Sequence, residues 1–252
     1  MLNIESKDTI LRATINRPKA KNAINFEVME HLENLLERLE HEKSIHAFIF
    51  TGAGDNLFIS GGDLKEFHTL TSAEEAEQMA RRMGSILKRI EKLPCWTVAA
   101  INGATYGGGW EIMLAFDFRI ASSNAVFHFS QGKFYLPPGW GGLTRLVEKV
   151  GRSTALRWLA ETAEIDAETA LKRNLIDRTT PGNELQEEAE QWALKMSQNG
   201  RDYIKALKRG ALKCSQTRWR AIEEELEPFA QFWEDERHQQ RVKKFLDRNK
   251  QN

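Results

Sequence analysis

The chain reads as an α/β protein with crossover connections, and three observations predict this. Short apolar runs of strand character alternate with segments whose apolar residues recur at helical spacing. Glycines stand where apolar strands give way to helices. From Gly141 onward the pattern is almost entirely helical. A length of 252 residues suits one large domain, or a domain with a helical appendage.

Taken in order, Thr9 to Asn16 alternates apolar and polar residues and predicts an edge or half-buried strand. Phe26, Met29, Leu32, Leu35, Leu36 and Leu39 then fall on one face of an amphipathic helix. Ala47-Phe48-Ile49-Phe50 is continuously apolar and is closed by Gly52 and Gly54, as a buried strand requires. Ala76, Met79, Ala80, Met83, Ile86, Leu87 and Ile90 share a second helix face, which Pro94 terminates. Cys95 to Ile101 predicts a strand, Trp110 to Ala115 a helix, and Phe118 to Ala121 another strand. Leu175-Ile176 is a short apolar run among the later helices. Trp219, Ile222, Leu226, Phe229, Phe232 and Trp233 give the last sixty residues more apolar surface than one surface helix carries. That surface packs either on the chain's own core or on another subunit.

Composition narrows the function classes. Lys plus Arg equals Asp plus Glu at 36 each, so no global field favours nucleic acid or an anionic membrane surface. No apolar run approaches the ~20 residues that span a bilayer, and Met1 to Glu5 lacks the basic and apolar regions of a signal peptide. Cys95 and Cys214 have no metal-type spacing and are expected to be reduced thiols, which points to the cytoplasm. No metal site is expected.

Two glycine loops carry the chemistry. Gly107-Gly108-Gly109-Trp110-Glu111 follows one apolar strand, and Ser60-Gly61-Gly62-Asp63-Leu64 follows another. Without side chains, backbone N–H groups approach a ligand oxygen closely, and a helix start adds unsatisfied donors and a positive dipole end. Taken alone, each loop reads rather as a tight turn; the two together with Glu111 favour the functional reading. The glycine run lacks both the Gly-Lys-Ser/Thr ending of a P-loop and G-x-G-x-x-G spacing, so nucleotide readings fail. Glu111 stands beside these donors as a candidate acid or base. Trp110, Ile112 and Tyr106 add apolar bulk around it, which raises a carboxyl pKa.

These loops, with Ile15-Asn16-Arg17-Pro18-Lys19-Ala20-Lys21-Asn22-Ala23 and Pro138-Gly139-Trp140-Gly141-Gly142-Leu143-Thr144-Arg145-Leu146, resemble the crotonase superfamily of enoyl-CoA hydratases, isomerases and acyl-CoA decarboxylases. The resemblance covers nearly the whole chain. It implies a spiral of ββα units over residues 1–195 and a C-terminal helical region over 196–252 that builds homotrimers or hexamers and covers the active site. It implies no cofactor beyond the coenzyme A of the substrate itself. The Gly62 and Gly108 amides would form an oxyanion hole for the thioester, and Glu111 would match one of the two catalytic glutamates of hydratases. Lys19 and Ala20 would lie along the CoA moiety, with Ser60, Gly61, Asp63 and Leu64 near the thioester. Tyr106, His128, Pro138 and Trp140 would complete the substrate site. The charges of Arg17, Lys19 and Lys21 otherwise read as solvated, and Lys243, Lys244 and Lys250 are weaker candidates for CoA phosphates.

The chain departs from the hydratase pattern at the second acid, where Gln131 stands. Glutamine positions a partner but does not shuttle a proton near neutral pH. Two-carboxylate hydration is therefore expected to be impaired, leaving one-acid reactions: isomerisation of a 3-enoyl thioester, or loss of CO2 with protonation of the enolate. Asp117-Phe118-Arg119, the Gly139–Glu148 segment and Trp233 resemble the ethylmalonyl-CoA decarboxylase branch. A non-catalytic RNA-binding relative is the reading from another class, disfavoured by zero net charge and the presence of Glu111.

Overall fold

The computed structural model describes residues 1–213 and 217–248, so Cys214 and Lys250 lie outside the described residues. The chain opens with an antiparallel pair, β1 (Leu2–Lys7) and β2 (Ile10–Ile15). Next come α1 (Phe26–His41), β3 (Ala47–Gly52), β4 (Leu57–Ile59), α2 (Leu64–Phe67) and α3 (Ala73–Lys92). The pattern repeats as β5 (Trp96–Ile101), β6 (Ala104–Tyr106) and α4 (Gly108–Met113). It repeats again as β7 (Phe118–Ser122), β8 (Val126–His128) and α5 (Gly142–Val150). Each turn of the expected ββα spiral thus has a long strand, a three-residue strand and a helix. Then follow α6 (Arg152–Ala160), β9 (Glu164–Asp166), α7 (Ala167–Lys172), β10 (Arg178–Thr180) and α8 (Leu185–Met196).

The long strands form one sheet in the order β1-β2-β3-β5-β7-β10, parallel except at β1–β2. The short strands form a second, β4-β6-β8-β9, parallel except at β8–β9. The continuous apolar run of β3 has a physical reason. Phe48 and Phe50 enter the main core, while Ala47 and Ile49 face a second cluster roofed by Leu185, Ala189 and Trp192 of α8. Both faces of the strand are buried, so alternation disappears. The two amphipathic helices start as their caps dictate: the Asn25 side chain accepts from Val28 N at 3.0 Å, and Ser72 with Glu75 forms a capping box.

Of the edge or half-buried strand expected over Thr9 to Asn16, the edge alternative falls, because β1 hydrogen-bonds along its outer side. The short apolar run Leu175-Ile176 is a buried bend leading into β10.

Among the described residues four helices follow: α9 (Gly200–Lys213), α10 (Arg218–Glu224), α11 (Leu226–Glu234) and α12 (Glu236–Arg248). They fold back onto their own chain. Lys208 of α9 donates to Cys95 O at 2.9 Å and to Asp117 Oδ2 at 2.6 Å. Trp233 Nε1 of α11 donates to Leu70 O at 3.0 Å. Ile222, Leu226, Phe229 and Trp233 are buried in these intramolecular contacts, whereas Phe232 is exposed and Trp219 half-buried beneath Lys88 and Lys92. Burial pushes the Cys95 thiol up to about 11, which leaves it unreactive. Among the described residues no helix is long and apolar enough to cross a membrane.

Candidate active site

The two glycine loops meet. A Cβ built on Gly61 would lie 3.1 Å from the Gly108 nitrogen, so the backbones are in near contact. Gly107, with φ +47, turns the chain out of β6 and sets Gly108 as the first residue of α4. Among the described residues, neither the Gly62 nor the Gly108 amide donates to a protein acceptor. Two N–H groups without a protein acceptor thus lie on adjacent loops, an arrangement able to donate to one bound oxygen.

Trp140 covers this pair of loops from one side. A Cβ at Gly108 would sit 2.1 Å from the Trp140 ring, and one at Gly62 would sit 3.7 Å from it. The indole therefore lies against both loops, and position 108 tolerates no side chain.

Glu111, on the first turn of α4, is only 3% exposed. Its Oε2 accepts the backbone N–H groups of Trp140 at 2.8 Å and Gly142 at 3.0 Å, at the entrance to α5. Its Oε1 accepts from Gln131 Nε2 at 3.3 Å, and Trp110 Nε1 donates to Gln131 Oε1 at 3.1 Å. The indole fixes the amide orientation, because only the amide oxygen accepts from it. Burial, chiefly, raises Glu111 to about 7; the charge of Glu225 adds to the rise, and the hydrogen bonds oppose it. Oε2 thus accepts two backbone donors, whereas Oε1 has the single, longer contact to Gln131.

The other sequence-predicted residues divide. Ser60 and Gly61 belong to the first glycine loop, and Ser60 N donates to Lys21 O at 3.2 Å. Pro138 and Trp140 belong to the loop that feeds Glu111. Lys19 and Ala20 form a 3-10 turn after Arg17 at the surface, Lys19 exposed and Ala20 half-buried. Leu64 opens α2, and Asp63 caps it by accepting from Lys65 N at 3.2 Å. Arg17, read from sequence as a solvated charge, instead pairs with Asp63 at 2.8 Å, both side chains 13% exposed. Tyr106 stacks on His128 with centroids 4.0 Å apart, and His128 Nδ1 lies 3.2 Å from Glu164. These contacts engage His128 apart from the Glu111–Gln131 network. Lys243 and Lys244 are exposed on α12.

Sequence reasoning missed three contributors. Arg145 donates to the carbonyls of Trp140 at 2.8 Å and Gly141 at 3.0 Å while pairing with buried Glu91. Trp110 acts through its indole N–H rather than as apolar bulk alone. Glu225 accepts from Leu143 N at 3.1 Å and Thr144 N at 2.7 Å, one residue along from the donors that Glu111 uses.

Comparison with known proteins shows the family. The enoyl-CoA hydratase/isomerase family model matches residues 5–252. The chain belongs to the enoyl-CoA hydratase/isomerase family. Within this crotonase superfamily it is 31% identical to a short-chain-enoyl-CoA hydratase of Clostridium acetobutylicum, over 98% of this chain and 95% of that protein. It is 32% identical to an ethylmalonyl-CoA decarboxylase of Xenopus tropicalis, over 89% of this chain and 76% of that one. Among solved structures, an enoyl-CoA hydratase from Bacillus halodurans superposes with a TM-score of 0.89 at 26% identity, covering 96% of this chain and 99% of that one. Family members named for hydration and for decarboxylation are thus similar to this chain to about the same degree.

Proposed function

We propose that the protein transforms an acyl-CoA thioester through an enolate, with the Gly62 and Gly108 amides holding the thioester oxygen and Glu111 as the one proton-transferring carboxylate. The observation that carries this reading is the Glu111–Gln131 contact. The group facing Glu111 is an amide whose oxygen is committed to Trp110, so it supplies neither a proton nor a base. Syn addition of water needs one group to activate water and another to supply the α-proton, and that pair is incomplete here.

One-acid chemistry fits the rest. In isomerisation, Glu111 Oε1 removes an α-proton from a 3-enoyl thioester, the electron pair delocalises onto the thioester oxygen between the two amides, and the same oxygen returns the proton at the γ-carbon. A carboxyl raised to about 7 holds both forms near neutrality, as such a shuttle requires.

In the second reading the carbon–carboxylate bond of a substituted malonyl thioester breaks instead. Its electron pair becomes the enolate, CO2 departs, and protonated Glu111 delivers its proton to the α-carbon. The similarity to the Xenopus decarboxylase and the dry, Trp140-covered setting favour this route.

CoA is proposed to run along the Lys19-Ala20 turn. The assembly is proposed to be a homotrimer or hexamer, with exposed Leu194, Tyr203 and Leu207 as contact candidates. Glu111→Gln tests the function. Turnover should fall by about 10²-fold or more with CoA-ester affinity by calorimetry little changed. Full turnover in the variant would refute the assignment.

A further inference from the structure

The loop carrying Trp140 is clamped by the C-terminal helices of the same chain. A Cβ on Gly139 would meet the Phe229 ring at 2.1 Å, and one on Gly141 would meet Ile222 Cγ2 at 2.8 Å. Between these contacts in sequence, at the junction of α10 and α11, stands Glu225. Its carboxylate takes the N–H groups of Leu143 and Thr144, while Glu111 takes those of Trp140 and Gly142. Two carboxylates from elements far apart in sequence thus divide the start of one helix, α5.

The charged groups around them leave both anions without an ion-pair partner among the described residues. Arg145 of α5 directs its guanidinium to Glu91 of α3 and to the Trp140 and Gly141 carbonyls. Arg218 of α10 pairs with Glu91 and Glu148. Gln131, on the far side of Glu111, is neutral.

We propose that Glu225 is a positioning residue: through the shared start of α5 it sets the proton affinity of Glu111, and so the pH at which the site works. This rests on the one-carboxylate reading above. Two effects compete when Glu225 loses its charge. Removing a like charge makes Glu111 more acidic, whereas loosening the α5 start would weaken its backbone donors and make it less acidic. Glu225→Gln keeps an acceptor oxygen for one of the two amides while removing the charge, and on this proposal the charge effect is the larger of the two. Burial raises both carboxyls from their ordinary values; the Glu225 charge adds to the rise at Glu111, while the Arg145 charge opposes the rise at Glu225.

The test is an isotope-edited infrared titration of the Glu111 carboxyl, its band assigned by loss in Glu111→Gln, run beside the pH profile of kcat/KM. In Glu225→Gln the Glu111 midpoint should fall by about half a pH unit or more, and the limb of the activity profile should fall with it. Glu225→Asp, which keeps the charge but draws it back by one methylene, should shift it less. An unmoved or raised midpoint in Glu225→Gln overturns the proposal. If Glu225→Gln does not fold, the Asp variant decides: a smaller fall supports the proposal and no fall overturns it. A shifted infrared midpoint with activity indifferent to Glu111→Gln would leave Glu225 its role while refuting the one-carboxylate reading.

Discussion

Gln131 presents its amide nitrogen, not its oxygen, to Glu111: Nε2 lies 3.3 Å from Glu111 Oε1 because Trp110 holds Gln131 Oε1 at 3.1 Å. A hydratase pair needs two titratable groups at this place, and this chain has one. The orientation also helps Glu111, since the amide donates to its charged form and partly offsets the cost of burial.

The first prediction restores the missing carboxylate. Gln131→Glu should raise crotonyl-CoA hydration by about tenfold or more, since acid–base groups contribute about 10²–10⁴-fold when well placed. Trp110 Nε1 remains a donor to the new carboxylate. Two carboxyls in hydrogen-bond range cannot both ionise freely, so the pH optimum should narrow. Steady-state assays of hydration and of the native reaction, side by side, check this; the native rate should fall.

Gly142 offers a steric test of Glu111 placement. A Cβ there would lie 2.4 Å from Glu111 Cγ and 2.5 Å from its Oε2. Gly142→Ala keeps the backbone N–H but pushes the carboxylate aside. We expect kcat to fall by about 10²-fold, because a displacement of about 1 Å has that cost, with KM changed far less. A Gly142→Ala enzyme with native kcat would mean Glu111 does not act from its observed position.

The acidity of Glu111 makes stability depend on pH. Its folded pKa, about 7, lies above its ordinary value of 4.5. Between those values the folded state keeps a proton that the unfolded chain has released, so stability falls as pH rises from about 4.5 to 7 and then levels off. The Glu111 contribution is about 3 kcal/mol at most. Urea unfolding of the parent and Glu111→Gln at pH 5 and pH 8 should show the variant relatively more stable at pH 8. An equal difference at both pH values would contradict the raised pKa.

Arg145 is expected to be costly to replace. It is buried, pairs with Glu91 and holds two carbonyls of the Trp140 loop. Arg145→Met should destabilise by about 3–5 kcal/mol, because it leaves the buried Trp140 and Gly141 carbonyls without their guanidinium donor and Glu91 with Arg218 alone of its two arginines. Denaturant midpoints measure this; a loss below about 1 kcal/mol would contradict it.

Much of the site was legible because its parts are local. The glycine loops, Glu111 and the position of Gln131 lie in short motifs with fixed spacing. What stayed hidden depends on distance or on the backbone. Glu225 reaches main-chain amides of a loop far from it in sequence, and no residue pattern announces such a partner. Strands β4, β6, β8, β9 and β10 have three residues each, too few to display a period. β1 is almost wholly exposed and so lacks the apolar alternation that marked β2. The C-terminal aromatics left two packing partners open in sequence; burial of Phe229 and Trp233 within this chain accounts for most of that surface.

The most direct measurement of the central claim is product analysis by mass after incubating the pure protein separately with crotonyl-CoA, 3-hexenoyl-CoA and ethylmalonyl-CoA. The account predicts turnover of the 3-enoyl or the malonyl-type thioester, abolished in Glu111→Gln, with crotonyl-CoA hydrated poorly. Efficient hydration of crotonyl-CoA by the parent protein would contradict it, because a second proton-transferring group would then have to act where Gln131 stands.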